Sequence, residues 1–349
     1  MCSSDLRNQF PGAPIVLGRE VIAGGVLRAV VVNSKVSNVA TGAPGVANAR
    51  RMAAAAAKEI GSDASKVLVS STGVIGVPLP IEKVEAGIVG MAAELQSDPM
   101  VGARGIMTTD THPKAFSAKV GDATITWIAK GAGMIEPNMA TMLAYVFTDA
   151  TIDAATLDGM LRRAVDVSFN MCSVDTDTST SDTCAILANG LAGAVDAAAF
   201  EAALTTGCIR MAETIARDGE GAKHLLRVRV RGAKDTAEAK VIAKSVVNSP
   251  LVKTMVAGAD PNVGRLLMAI GKCFTATIDR ASTECWINGH HVVTKGTRAT
   301  FQDADVRTAL GGEVVEIAIT LGVGSGEATA FGCDLTHGYI DENAAYYSS

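Results

Sequence analysis

The sequence predicts a layered α/β sandwich. Short runs of branched apolar residues alternate along the chain with longer segments whose apolar residues recur every three or four positions. Of the 349 residues, 48% are hydrophobic and 19% are charged, which is enough to bury a large core. The length suggests two domains, and a single large α/β unit of this size is the alternative. Because strands and helices are mixed throughout, we expect sheets and helices packed in layers.

The first part of the chain predicts a βαβα order. Residues 27–32 and 66–70 are typical of short strands, and the alanine-rich residues 46–60 between them predict a helix. The following apolar residues fall at helical spacing and predict a second helix that covers the strand: Ile81, Val84, Ile88 and Leu95. Residues 123–129 and 141–147 are rich in β-branched and aromatic residues and predict two further strands.

The rest of the chain is also predicted to contain both helices and strands. Residues 157–168 and 200–215 predict helices, and residues 184–187 predict a short strand between them. Alternating apolar residues predict strands with one wet face at 226–230 and 315–319. The pair Asp260-Pro261 is typical of a helix start, with aspartate as the cap and proline in the first turn.

Charge and hydropathy exclude several classes of protein. The net charge is −5, and the chain has no basic block of the kind that binds nucleic acid. No apolar run reaches the roughly 18 to 20 residues that span a bilayer, and no signal peptide begins the chain. We therefore expect a cytoplasmic protein without a nucleic-acid or membrane partner.

Cysteine and histidine spacing predicts no metal site. The seven cysteines form no C-x-x-C pair, so buried reduced thiols explain them best. His290-His291 follows the turn signal Asn288-Gly289, which predicts a solvated hairpin tip. Residues 73–76 lack the spacing of a nucleotide loop, and the aspartates of residues 175–183 lack the glycine and glutamate of a calcium loop.

The loop at residues 130–141, KGAGMIEPNMAT, ends in a threonine at the start of a predicted strand. A threonine hydroxyl is a weak nucleophile until a base removes its proton, and a threonine at a new chain start has its own α-amino group as that base. Cleavage between Ala140 and Thr141 would supply both groups. On spacing alone, Thr141 as an ordinary strand residue is the simpler interpretation.

Further blocks follow in a recognisable order: residues 70–76 (SSTGVIG), 106–111 (IMTTDT), 175–183 (DTDTSTSDT), 218–221 (DGEG), 248–254 (NSPLVKT) and 343–346 (NAAY). Together with the 130–141 loop they resemble the ornithine acetyltransferase family, the bifunctional glutamate N-acetyltransferases and amino-acid acetyltransferases of arginine biosynthesis. The resemblance covers nearly the whole chain. It implies a fold similar to the N-terminal-nucleophile-like aminopeptidases.

The resemblance also implies a self-cleaving precursor. The Thr141 hydroxyl attacks the preceding carbonyl, and the resulting ester is hydrolysed to give an alpha chain, residues 1–140, and a beta chain, residues 141–349. The chains stay associated, with two of each in a heterotetramer. Thr141 then accepts acetyl from N-acetylornithine and passes it to glutamate. No cofactor is needed, although some members of the family also use acetyl-coenzyme A as a donor.

Site residues follow from the matching family positions. The resemblance assigns Thr72 and Gly73 to the oxyanion hole, where a hydroxyl and a backbone N–H stabilise developing negative charge. It assigns substrate contacts to one or both of the neighbouring Thr108 and Thr109 and to Lys130, Thr141, Glu220, Asn343 and Ser348. A lysine suits a substrate carboxylate and a glutamate suits an ammonium group.

Two other functions stay open. A related N-terminal-nucleophile amidase or aminopeptidase would use water as the acyl acceptor, and an uncleaved chain would be an inactive binding protein.

Val263 stands where relatives usually have tryptophan, which predicts a smaller apolar contact near the site. Relatives carry several tens of residues before the segment that matches residues 7–10, and residues 1–6 match no family block. If those residues complete the sheet of the first chain, we expect an unpaired sheet edge and poor folding here.

Overall fold

A computed structural model describes residues 2–3, 8–136 and 142–344. Its strands are β1 Cys2–Ser3, β2 Ala29–Asn33, β3 Val67–Ser71, β4 Lys114–Val120, β5 Ala123–Lys130, β6 Leu143–Thr151, β7 Cys172–Ser173, β8 Thr183–Ala194, β9 Leu225–Ala233, β10 Glu284–Ile287, β11 His290–Thr294, β12 Thr297–Arg298, β13 Val314–Thr320 and β14 Gly326–Cys333. Its α-helices are α1 Ala13–Ala23, α2 Gly42–Glu59, α3 Ile81–Ile88, α4 Pro99–Gly105, α5 Ala154–Val167, α6 Ala197–Arg217, α7 Thr236–Val247, α8 Pro250–Ala257, α9 Gly264–Gly271, α10 Asp303–Leu310 and α11 His337–Asn343.

The chain forms two compact units. The first unit comprises residues 1–166 and 177–211, and the second comprises residues 167–176 and 212–349. The predicted division into residues 1–140 and 141–349 concerns cleavage of the chain and stays a prediction.

The first unit contains two sheets. One has the strand order β1-β8-β6-β5-β4, and the other is the parallel pair β2-β3. In the larger sheet β5 and β6 are antiparallel, and Lys130 at the end of β5 pairs with Leu143 at the start of β6. At one edge of this sheet, Cys2 pairs with Ile186 and Ser3 with Ala185.

Alternate residues of β3 separate two cores. Val67 and Val69 pack with Leu17 of α1 and Met52 of α2 on one face. Leu68 faces the other way and packs with residues of the larger sheet, Leu143, Tyr145 and Ala185. On the far side of that sheet, Trp127 lies against Gly207 of α6, where a Cβ would overlap the indole ring. The unit therefore stacks helices, two sheets and helices, which confirms the predicted layered α/β sandwich.

The second unit is built on a mixed sheet with the order β12-β11-β10-β13-β9-β14-β7. Strands β9 and β13 run parallel, and their apolar residues alternate with exposed or half-buried ones, as the sequence predicts. Helix α7 packs on β9 and β14. The Asn288-Gly289 turn joins β10 to β11, and His291 is exposed there and stacks on Trp286 at 4.9 Å, which confirms the hairpin.

Two predicted helices are wrong in extent. The helix at Ile81 ends at Ile88 because Gly90 adopts a left-handed φ of 84°, so Leu95 lies outside the helix and is 76% exposed. Asp260 does not cap a helix. Two tight turns, closed by hydrogen bonds from Asn262 N to Asp260 O and from Val263 N to Pro261 O, delay the start of α9 to Gly264.

The six cysteines whose side chains the structure describes are buried free thiols, as predicted. Within the described residues, no helix combines the length and the apolar character that crossing a membrane requires.

Candidate active site

The loop after β3 holds Thr72 and Gly73 against the loop after β2. Thr72 N donates to Asn33 O and Val74 N donates to Lys35 O, both at 3.0 Å. The hydroxyl of Ser71 donates to the side-chain oxygen of Asn33 at 2.6 Å. These bonds extend the parallel pair β2-β3 beyond its strands, so the Thr72 segment is held rigidly by its neighbour.

Only glycine fits at position 73. Its φ is 125°, and a Cβ would lie 2.7 Å from Lys35 Cα and would overlap the Lys35 carbonyl group. Neither the Gly73 N–H nor the Thr72 hydroxyl makes a hydrogen bond to any other part of the chain that the structure describes. Two neighbouring hydrogen-bond donors of this kind are what the predicted oxyanion hole requires.

Lys130, at the end of β5, is buried with 3% of its surface exposed. Its ammonium group donates to the Thr108 hydroxyl at 3.1 Å. Thr109 makes no hydrogen bond within the described residues. The structure therefore brings together two of the predicted substrate contacts, Lys130 and Thr108, in the first unit.

Asp110 organises this cluster. Its Oδ1 accepts from the Lys114 ammonium at 2.6 Å and from Gly131 N at 2.7 Å, and its Oδ2 accepts from Thr108 N at 3.1 Å. Burial alone would raise the pKa of Asp110, but the charges of Lys114 and Lys130 together with these bonds lower it below its ordinary value. The carboxylate is thus ionised and fixes the backbone on both sides of the Lys130-Thr108 contact.

A second buried carboxyl, Asp182, lies just before β8. Its Oδ1 accepts from Met142 N at 2.8 Å. Burial raises its pKa well above the ordinary value, although the Met142 N–H and the charge of Lys130 act in the opposite direction. Lys130 therefore lies near two buried carboxyl groups, Asp110 and Asp182.

Glu220 and Asn343 meet in the second unit. Asn343 Nδ2 donates to Glu220 Oε2 at 2.6 Å and to Tyr339 O at 2.9 Å. The turn that carries Glu220 is fixed to the start of α11, because the Thr336 hydroxyl donates to Gly221 O at 2.6 Å. Two further predicted contacts are therefore neighbours on a defined turn and helix.

The predicted nucleophile, Thr141, lies outside the described residues, as do Ala140 and Ser348. Sequence reasoning did not single out Asp110, Lys114 or Asp182. Asp110 and Asp182 stand inside blocks that carry the family resemblance, so those blocks were the available signal, but the burial of a charged side chain is not visible in a sequence.

The sequence model of the ArgJ family matches residues 6–348. The chain belongs to the ArgJ family. It is therefore an acyltransferase of arginine biosynthesis, as the resemblance in the sequence predicts.

Individual ArgJ relatives agree with this assignment. The glutamate N-acetyltransferase Oat2 of Streptomyces clavuligerus is 47% identical over 97% of this chain and 88% of its own length. The arginine biosynthesis bifunctional protein ArgJ 2 of Clostridium acetobutylicum is 47% identical over the same shares. A crystal structure of an arginine biosynthesis bifunctional protein argJ from Bacillus halodurans is 38% identical with a TM-score of 0.57, covering 59% of this chain and 100% of that one.

Proposed function

We propose that this ArgJ chain cleaves itself between Ala140 and Thr141 and then transfers acetyl from N-acetylornithine to glutamate through acetyl-Thr141. The observation that carries the proposal is the pair of buried lysines, Lys114 and Lys130, beside the start of β6. Lys130 pairs with Leu143, two residues after Thr141. An amino-acid carboxylate bound by Lys130 would therefore lie near the start of β6.

Each of the two described pairs carries a group that suits one charged end of an amino acid. The Lys130 ammonium and Thr108 hydroxyl supply donors for the carboxylate. Glu220, half-buried and bonded to Asn343, supplies a carboxylate for an ammonium group. Ornithine and glutamate both carry these groups, and relatives named glutamate N-acetyltransferase act on the second.

After cleavage, Thr141 would supply both the nucleophile, its hydroxyl group, and the base, its α-amino group. The hydroxyl attacks the acetyl carbonyl, the α-amino group takes its proton, and Thr72 with Gly73 stabilises the oxyanion. The α-ammonium group gives that proton to the ornithine nitrogen as the C–N bond breaks. The glutamate amine then attacks the acetyl ester, its proton passes through the α-amino group to the Thr141 oxygen, and the C–O bond breaks. Because one acetyl-enzyme serves both halves, double-reciprocal plots with varied substrate pairs are expected to be parallel, and intersecting lines would count against this scheme.

We further propose that the chains of residues 1–140 and 141–349 stay together, two of each, and that the reaction needs no cofactor. Acetyl-coenzyme A is the alternative donor to assay. Sedimentation of the mature protein measures the assembly, and initial rates with acetyl-coenzyme A and glutamate measure the use of that donor.

The test of maturation is intact-protein mass spectrometry of the wild type, Thr141→Ala and a matched control, Thr151→Ala, on the exposed end of β6. We expect two fragments meeting at Ala140-Thr141 in the wild type and the control, and one whole chain in Thr141→Ala. Release of free acetate without an acceptor would favour an amidase. A wild type that stays whole while binding N-acetylornithine would favour an inactive binding protein.

A further inference from the structure

The block of residues 248–254 contains a buried lysine to which the proposed function gives no role. Lys253, on α8, has 4% of its surface exposed. Its ammonium group donates to Cys333 O at 2.5 Å and lies 3.7 Å from Cys333 Sγ. Its backbone oxygen accepts from Leu335 N at 3.4 Å. Lys253 therefore holds the chain at the end of β14 with both its side chain and its backbone.

Residues 333–336 form a strap between α8 and the turn that carries Glu220. Asp334, in the strap, is 2% exposed. Its Oδ1 accepts from Lys223 N at 2.8 Å and from His224 N at 3.0 Å, and its backbone N donates to His224 O at 3.3 Å. The chain that follows Glu220 is therefore fixed to the strap by one buried carboxyl group.

Two groups of opposite charge lie at the strap. Burial raises the pKa of the Cys333 thiol, the charge of Lys253 lowers it and the charge of Asp334 raises it, so both groups lie close to this residue. Asp334 Oδ2 is enclosed and makes no hydrogen bond to any residue that the structure describes. Because an ammonium group and a carboxylate are both costly to bury alone, Lys253 and Asp334 compensate each other here.

Gly221, the residue after Glu220, lies directly against α11. A Cβ at Gly221, whose φ is 69°, would overlap the backbone of Gly338 and Tyr339. At the end of the same helix, Asn343 donates to the Glu220 carboxylate at 2.6 Å. The turn is thus bonded to the strap and packed on α11, and a displacement of the strap would displace Glu220.

We propose that Asp334 is a positioning residue that holds Glu220 in the geometry that binds the ammonium group of the substrate, with Lys253 anchoring the strap to α8. This inference rests on the proposed function, in which Glu220 binds that ammonium group. Asp334 and Lys253 act through Glu220 and not on the reacting atoms. N-acetylornithine carries its ammonium group both before and during the reaction. A weaker contact therefore raises KM and leaves kcat nearly unchanged.

The test is steady-state kinetics of fully cleaved Asp334→Ala beside Asp334→Asn. The alanine variant removes the acceptor of Lys223 N and His224 N, whereas the asparagine variant keeps an oxygen for them. We expect KM for N-acetylornithine to rise about tenfold or more in Asp334→Ala, kcat to change less than about threefold, and Asp334→Asn to recover most of the loss. A normal KM in Asp334→Ala would overturn the inference.

Asp235→Ala is the matched control in the same unit. Asp235 also accepts a backbone N–H, that of Glu238 at 2.9 Å, but it caps α7. We expect it to lower the thermal midpoint and to leave KM unchanged, because a structural carboxyl affects the folded fraction and not the affinity for substrate. Lys253→Met keeps a side chain of similar length without the charge and is expected to raise KM as Asp334→Ala does.

A double-mutant cycle tests whether Asp334 acts through Glu220. If it does, Asp334→Ala adds little to KM in a Glu220→Ala background, whereas fully additive effects would contradict the inference. Hydrogen exchange of the peptide 218–224 needs no activity. We expect faster exchange in Lys253→Met than in the wild type and Asp235→Ala, and equal exchange in all three would exclude Lys253 as the anchor.

Failure of the proposed function gives a different result. If Glu220→Ala leaves KM for N-acetylornithine normal, Glu220 does not bind the ammonium group, and the roles of Asp334 and Lys253 fail with it. If Glu220→Ala raises KM and Asp334→Ala does not, the proposed function stands and only the positioning role fails.

Discussion

Replacing Gly73 by alanine tests whether the loop after β3 stabilises the oxyanion. The φ of 125° at Gly73 is a conformation that residues with a Cβ rarely adopt, and forcing one into it costs about 1 to 3 kcal/mol. The added Cβ would also lie 2.7 Å from Lys35 Cα and overlap its carbonyl group, so one of the two loops must shift. A shift of the Gly73 N–H removes one donor, which costs about 100 to 1,000-fold in rate.

Gly76→Ala in the same loop is the matched control. Gly76 also has a positive φ, 82°, but a Cβ there meets no atom within 4 Å, so the substitution adds strain without a clash. The assay measures kcat for acetyl transfer from N-acetylornithine to glutamate, beside the thermal midpoint of each variant. We expect a large loss of kcat in Gly73→Ala and near-normal kcat in Gly76→Ala. Equal kcat values in the two variants would refute the assignment of Gly73 to the oxyanion hole.

Three predictions concern the lysine cluster. Asp110→Asn is expected to destabilise the protein by about 3 to 5 kcal/mol in urea unfolding, because the buried Lys114 ammonium loses its ion pair with Asp110; an unchanged midpoint would contradict this. Since the native pKa of Asp110 lies below the unfolded value of about 3.9, its stabilisation is present at neutral pH and lost as the pH falls through the native pKa. Stability measured against pH should therefore fall more steeply on acidification in the wild type than in Asp110→Asn. Lys130→Met is expected to raise KM for glutamate by at least about tenfold with cleavage intact, since a charge-assisted hydrogen bond contributes about 1.5 to 3 kcal/mol; a normal KM would exclude Lys130 from the carboxylate site.

Periodicity predicted the element types of this fold well. The alternation in β9 and β13 and the apolar face of α5 appear in the structure where the sequence places them. The sequence predictions fail where the backbone conformation of a turn decides where a helix begins or ends. A left-handed Gly90 ends α3 early, and the turns after Ala259, whose φ is 46°, displace the start of α9. Neither conformation follows from residue type alone.

For the candidate site too, the sequence identified some residues, whereas other features are visible only in the structure. Family blocks named Lys130, Glu220 and Asn343 as separate substrate contacts, and the hydrogen bonds of Lys130 to Thr108 and of Asn343 to Glu220 appear only in the structure. The blocks did not distinguish Thr108 from Thr109, which are adjacent and chemically identical, and only the hydrogen bond from Lys130 separates them. The role of Asp110 depends on burial and on three simultaneous hydrogen bonds, which arise only when distant segments of the chain meet.

The most direct test of the acetyl-Thr141 intermediate is peptide mapping of the protein after brief incubation with N-acetylornithine in the absence of glutamate. We predict that the peptide beginning at Thr141 gains the mass of one acetyl group, that one equivalent of ornithine is released, and that added glutamate removes the acetyl group. An unmodified Thr141 peptide in an enzyme that still transfers acetyl to glutamate would contradict the account, because the acetyl group would then pass directly between the two substrates.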